Sequence, residues 1–179
     1  MPDIGYRTSD DFTGIAVRNP PSPQLIDTVY KNTRFDIRWY EQIQVAESAN
    51  AAKSPARFLI SAALHPASDP TSLADFDKWY REEHIPLLSR MPGFVRSRRY
   101  EIASATVLNQ FQFRDTLEKA PRYLALHEFG GDELPLEELA KSGGTEWARK
   151  VLGDVEREEV GYYAAGRVYP ESEWGSVGK

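Results

Sequence analysis

Residues 75–90 read Asp75-Phe76-Asp77-Lys78-Trp79-Tyr80-Arg81-Glu82-Glu83-His84-Ile85-Pro86-Leu87-Leu88-Ser89-Arg90. Phe76, Tyr80 and His84 recur every four residues, a spacing that stacks them on one face of a helix. One helix face can therefore present a phenol and an imidazole to a single cavity. Pro86 has no amide to donate and clashes with the preceding turn, so the helix is expected to end or kink there, next to His84. Upstream, Ser72 with Asp75 resembles a capping box. Downstream, Pro92-Gly93 is a turn signal.

The flanking segments read β-α-β-β-α-β. Residues 56–64 form a strand dense in Phe58, Leu59 and Ile60. Residues 94–103 alternate, with Phe94, Arg96, Arg98 and Tyr100 on one side and Val95, Ser97, Arg99 and Glu101 on the other. A polar connection, 105–119, leads to a strand over 122–129 that Gly130-Gly131 ends. Pro135 suits a helix start, Gly143-Gly144 interrupts, and Thr145 caps a second helical segment through Leu152. Residues 159–169 read as the last strand. Residues 50–56 are a linker of small residues. Before it, 9–15 suit a short helix, 19–23 a proline-rich loop and 24–30 a loop or helical turn. Residues 34–45 alternate as a strand, so residues 1–49 read as a partial second half-unit. The full unit is 57–170, and 171–179 is a tail.

Three blocks of the chain, Phe76-Asp77-Lys78-Trp79-Tyr80, Glu83-His84-Ile85-Pro86-Leu87-Leu88 and Pro92-Gly93-Phe94, look like the signature of EthD-like proteins. Those proteins belong to the dimeric α/β-barrel superfamily, and the similarity is closest to fungal members of natural-product pathways. It spans roughly residues 57–170. The resemblance implies an α+β fold, a ferredoxin-like dimeric α/β barrel with an antiparallel sheet, plus an N-terminal partial second unit. It also implies a homodimer, with the 34–45 strand a candidate to cross to the partner and cover the open sheet edge. Many functions share this barrel, so function is argued from the site.

Composition narrows the classes. A net charge of -5 with no basic block gives no electrostatic footprint for nucleic acid. No apolar run approaches a membrane span and no signal peptide is evident, so a cytoplasmic protein is expected. There are no cysteines, which excludes disulfides, thiolate metal sites and a Cys nucleophile. The glycine pairs match no nucleotide fingerprint, no nucleophile elbow occurs and no histidine pair has metal-motif spacing. Cofactor-free chemistry is the enzyme reading that survives, with neither metal nor cofactor expected.

The three histidines are His65 at the first strand's end, His84 at the helix end and His127 in the third strand. Tyr123, His127 and Phe129 share a strand face and are expected to line an aromatic cavity. Neutral imidazole is a general base near pH 7, and a phenol donates to a developing oxyanion. Tyr80, His84 and His127 are therefore the candidate catalytic residues. Phe76, Tyr100, Arg98, Tyr123, Phe129 and His65 are the candidate substrate-binding ones. Each has a bland alternative: a capping or satisfied histidine, a core tyrosine, a surface arginine. Asp75, Asp77, Glu82 and Glu83 read as a solvated helix face, and Trp39 and Trp147 as core. The expected function is a lyase, cyclase or isomerase acting on a hydrophobic, polyketide-like intermediate by acid–base or conformational catalysis. The alternatives are a cofactor-free monooxygenase on a phenol and a non-catalytic binding or stress module.

Overall fold

A computed structural model describes residues 22–49, 56–110 and 112–166. The expected helix at 9–15, most of the proline-rich loop, nearly all of the linker and the stretch beyond 166 lie outside them. In chain order the elements are α1 (Pro23–Leu25, continued by a wider π-turn, Ile26–Tyr30), β1 (Arg34–Glu47), β2 (Phe58–Pro66), α2 (Pro70–Trp79), a π-turn (Tyr80–His84), α3 (Ile85–Leu88), β3 (Phe94–Asn109), β4 (Gln112–Asp115), β5 (Tyr123–Phe129), α4 (Leu136–Gly143), α5 (Glu146–Gly153) and β6 (Val155–Ala164).

Two compact units divide the chain. The smaller contains residues up to Ile37 and Ala105–Thr116. In it Thr106, Val107 and Leu108 pair with Asp115, Arg114 and Phe113. The connection expected over 105–119 is thus largely a hairpin, because these β-formers find cross-strand partners. Gln110 takes a left-handed φ of 50° at its turn.

The larger unit, Arg38–Ser104 with Leu117 onward, carries the ferredoxin-like arrangement. Strand order is β1-β3-β5-β2-β6, with β4 paired to β3. The β-α-β-β-α-β run from β2 to β6 therefore has its strands in the ferredoxin-like order, and β1 adds to the β3 edge. The sheet is antiparallel and open, an α+β fold. Strand β6 begins at Val155, opposite Pro66, rather than at residue 159. The run Glu156, Arg157, Glu158, Glu159 masks it in the sequence, yet charge is what a sheet edge tolerates.

Local chemistry explains the main helix. Its cap is Asp69, not Ser72: the Asp69 carboxylate accepts from the backbone N–H of Thr71 and Ser72, each at 3.0 Å, with Pro70 opening the helix. Asp75 instead accepts from Trp147 Nε1 at 3.1 Å and Lys150 Nζ at 2.8 Å, tying α2 to α5. Pro86 does not end the helix. The turn before it widens, with Ile85 N–H reaching the Tyr80 carbonyl five residues back, and α3 continues. An inserted π-turn lets the chain pass a residue that lacks a donor and would clash with the turn below. Gly93 has φ 73°, and a Cβ there would run into the Gly130 carbonyl oxygen, so the turn into β3 needs glycine.

The helices cover one face of the sheet. Trp79, Tyr80, Phe76 and Leu64 form one core cluster with Ala148 and Val151 of α5. Leu88, Phe94, Phe129 and Ile60 form a second. A register shift between Phe94 and Arg96 breaks the alternation of β3. Phe94 therefore packs in the core, and does not share a face with Arg96, Arg98 and Tyr100 as the alternation implied. Trp147 packs against the first cluster. Trp39 is 57% exposed, contrary to the core position expected for it. No helix among the described residues is long and apolar enough to cross a membrane.

Candidate functional site

The π-turn aims His84 between the helix and the sheet. Its ring stacks on Trp79, with centroids 4.5 Å apart, and meets Tyr80 edge-on at 5.1 Å. Across the gap lies His127 of β5, ring centroid 5.5 Å from that of His84. Ser97 of β3 fixes His127, with Oγ 2.8 Å from Nδ1. The Nδ1 of His84 is enclosed and has no partner among the described residues. These four rings line a cavity of about 340 Å³. Its remaining walls are mostly apolar, from Leu64, Leu88, Leu136, Leu139, Leu152 and Val160, with Tyr162, Ser142 and Glu158 as the other polar contributors.

Beneath the cavity lies Arg99, 1% exposed. Its guanidinium sits over the Tyr80 ring, 4.1 Å from the centroid. It donates to Gln44 at 2.7 Å and to Asp77 at 3.0 Å, while Nε and Nη2 have no partner. Burial pushes the Asp77 carboxyl up, but the hydrogen bonds from Arg81 and Arg99 outweigh it and hold it below its usual range. Glu83 accepts from Trp79 Nε1 at 3.2 Å and Thr145 Oγ1 at 2.6 Å, pinning the π-turn to α5. Asp75, Asp77 and Glu83 are thus working partners rather than a solvated face.

Burial sets the protonation states. Burial lowers the His84 pKa to about 3, with help from His127 and Arg99. It lowers that of His127 to about 4, again with Arg99. Burial raises the Tyr80 phenol to about 12, Arg99 acting against it. At neutral pH the site holds two neutral imidazoles and a protonated phenol. These three side chains can donate and accept hydrogen bonds but carry no charge.

Tyr80, His84 and His127 come together. Phe76 packs under Tyr80 at 5.1 Å and stacks on Tyr123 at 5.3 Å, so both support the site without lining it. Phe129 is fully buried in the other core cluster. Arg98 and Tyr100 lie on the opposite sheet face, Arg98 3.4 Å from Glu128. His65 is on that opposite face as well. The histidine face of β5 meets the helices, so the cavity is between layers. Arg99, Ser97 and Trp79 are the residues that the sequence did not single out. The break at Val95 hid Arg99 and Ser97, because only it joins their face to that of Phe94. Among the described residues no cluster of three His, Asp or Glu side chains is placed to hold a metal ion.

No family model matches the chain, and no curated protein does. Two solved structures are distantly similar. An anthrone oxidase-like protein matches at 9% identity and a TM-score of 0.45, over 90% of this chain and 71% of its own. A major regulator of staphylococcal pathogenesis matches at 12% identity and 0.40, over 88% of this chain and 94% of its own. Both likenesses are too distant to carry a functional argument.

Proposed function

We propose that the cavity between helix and sheet is the active site of a cofactor-independent lyase, cyclase or isomerase. In this reading the substrate is an uncharged, largely apolar small molecule with a carbonyl or phenol oxygen, of the polyketide-like kind. The observation that carries the reading is the convergence of Tyr80, His84 and His127 on one apolar-walled space. The resemblance of residues 76–94 to EthD-like proteins points the same way.

The division of labour follows from the protonation states. Tyr80, kept protonated, donates to the substrate oxygen as negative charge develops there. The same charge raises the affinity of the adjacent His84 imidazole for a proton, so a base too weak in the empty site becomes competent in the transition state. The His84 imidazole, which lines the cavity, is the group that accepts it. The protonated His84 then returns that proton to the substrate, and His127, held by Ser97, offers its other nitrogen as a hydrogen-bonding group. Apolar walls hold the carbon skeleton in a reactive conformation.

The test is α-carbon proton exchange in D2O, followed by NMR, with 1-tetralone as probe. Exchange that depends on the protein and falls by about 10²–10⁴-fold in His84→Ala, with tetralone binding retained, supports the reading. Wild-type exchange in that variant sinks it. Oxygen consumption with a phenolic probe would assign oxidation instead. A second reading, a binding module, is favoured by how far burial depresses both imidazoles. It requires tetralone binding with no turnover.

A further inference from the structure

The opposite face of the sheet carries cationic groups that the Tyr80–His84–His127 cluster does not use. Arg157 of β6 is the cross-strand neighbour of His65 on β2. The β2–β5 register ends at Leu64↔Tyr123, and Arg122, just before β5, acts on His65 through its charge. Cross-strand neighbours such as His65 and Arg157 lie about 4.5–5.5 Å apart at Cβ and project to one face. Arg122 is held by Glu101 at 2.9 Å. Arg157 forms no hydrogen bond or ion pair with a described residue, and its Nε is enclosed and unpartnered. The Nδ1 of His65 is enclosed and unpartnered too. His65 also hydrogen-bonds the Ala120 backbone, so an anionic acceptor would be held by the Arg157 guanidinium and would draw a proton onto the free His65 Nδ1.

The acidic groups nearby do not fill that role. Glu101 is engaged by Arg122. Glu159, two residues on from Arg157, accepts from Arg38 at 2.7 and 3.0 Å. Glu156 stands at the register break between Arg157 and Val155 and acts on His65 through its charge, with no hydrogen bond or ion pair to His65 or Arg157. Burial first, and the Arg157 charge next, lower the His65 pKa against the opposing pull of the Ala120 hydrogen bond and of Glu156. Next along the same face is a cavity of about 330 Å³, floored by Ala63 and Leu124 and walled by Tyr40, Tyr163 and the paired Arg38 and Glu159. The Tyr163 ring folds over Gly161, where a Cβ would collide with it.

We propose that this face binds an aromatic carboxylate, its carboxylate on Arg157 and His65 and its ring over Ala63 and Leu124 between Tyr40 and Tyr163. A planar carboxylate matches the donor fork of an arginine, and the cavity supplies the apolar body with a place.

The test follows the three imidazoles by 1H–15N NMR while 2-naphthoate is added to the whole protein. The His65 resonances should move and its pKa should rise. The uncharged amide, 2-naphthamide, and the Arg157→Gln variant should each weaken binding by about tenfold, the scale of one charge-assisted contact. Equal binding of the amide, or unchanged binding by Arg157→Gln, overturns the proposal. So do perturbations confined to His84 and His127, and so does a dimer by light scattering whose interface protects this face from 2-naphthoate. The wild-type His65 titration needs no variant, so a poorly folding Arg157→Gln leaves the test decisive.

Discussion

Arg96, Arg98 and Arg99 stand almost side by side on one strand and meet opposite fates. On the open face, Arg96 and Arg98 keep 25% and 31% of their side chains exposed and share Glu128. On the helix face, Arg99 keeps 1%, sits on an aromatic ring and leaves two nitrogens without partners. The histidines divide in the same way. His84 and His127, under the helices, are driven to about 3 and 4, whereas His65 on the other face is lowered mainly by milder burial and by Arg157. Similar residue types are present on both faces. Enclosure separates them: it removes water, so the same charges and rings interact strongly on one side and are screened on the other.

The contrast can be broken most forcefully at two tryptophans. Trp79→Ala removes a ring that is 1% exposed and stacked on His84; urea denaturation should show a loss of about 3–5 kcal/mol. Trp39→Ala, at an exposed position, should stay within about 0.5 kcal/mol. Equal losses would erase the distinction.

Acid is the next lever. Both cavity imidazoles titrate below the unfolded value of about 6.5, so the unfolded chain takes up protons that the folded chain refuses. Their contribution is fully present above about pH 6.5 and is lost as pH falls toward the folded values. At pH 5 the loss should be about 2 kcal/mol for each histidine. It is read as a fall in Tm between pH 7.5 and 5 that shrinks in His127→Phe. A Tm that is flat across this range, in a chain that remains folded, would remove the claim.

Smaller effects sharpen the picture. Ser97→Ala strands the His127 Nδ1 in a buried site and should cost about 1–2 kcal/mol by denaturant titration. Arg96→Ala loses ion pairs to Glu128 at 2.6 Å and Glu47 at 3.1 Å on the half-exposed face. Its cost should be no more than about 1 kcal/mol, and should shrink further in high salt.

The β-α-β-β-α-β order, the helix bearing Tyr80 and His84 and the Thr145 cap were legible because periodicity and capping are local signals. Thr145 does accept from Ala148 N–H, at 3.0 Å. What escaped was set by partners distant in sequence. The hairpin over 106–115 and the early start of β6 exist because a neighbouring strand is there to pair. Asp69 outcompeted Ser72 as cap because Pro70 fixes the first helical residue. The site was half readable. Fourfold spacing put Tyr80 and His84 on one helix face and parity grouped His127 with Phe129, but parity did not tell that this face meets the helices, and it pointed to Arg98 rather than Arg99. One extra residue in a strand reverses which side chains enter the core, and nothing near Val95 announces it.

The most direct test of the account is a 1H–15N NMR titration of the three imidazoles in the ligand-free protein. The account predicts that His84 and His127 remain neutral from pH 8 down to below about pH 5, with His127 held in one tautomer by Ser97. Titration of either ring near the unperturbed value of about 6.5 would mean that the cavity is wet, and the buried acid–base site described above would not exist.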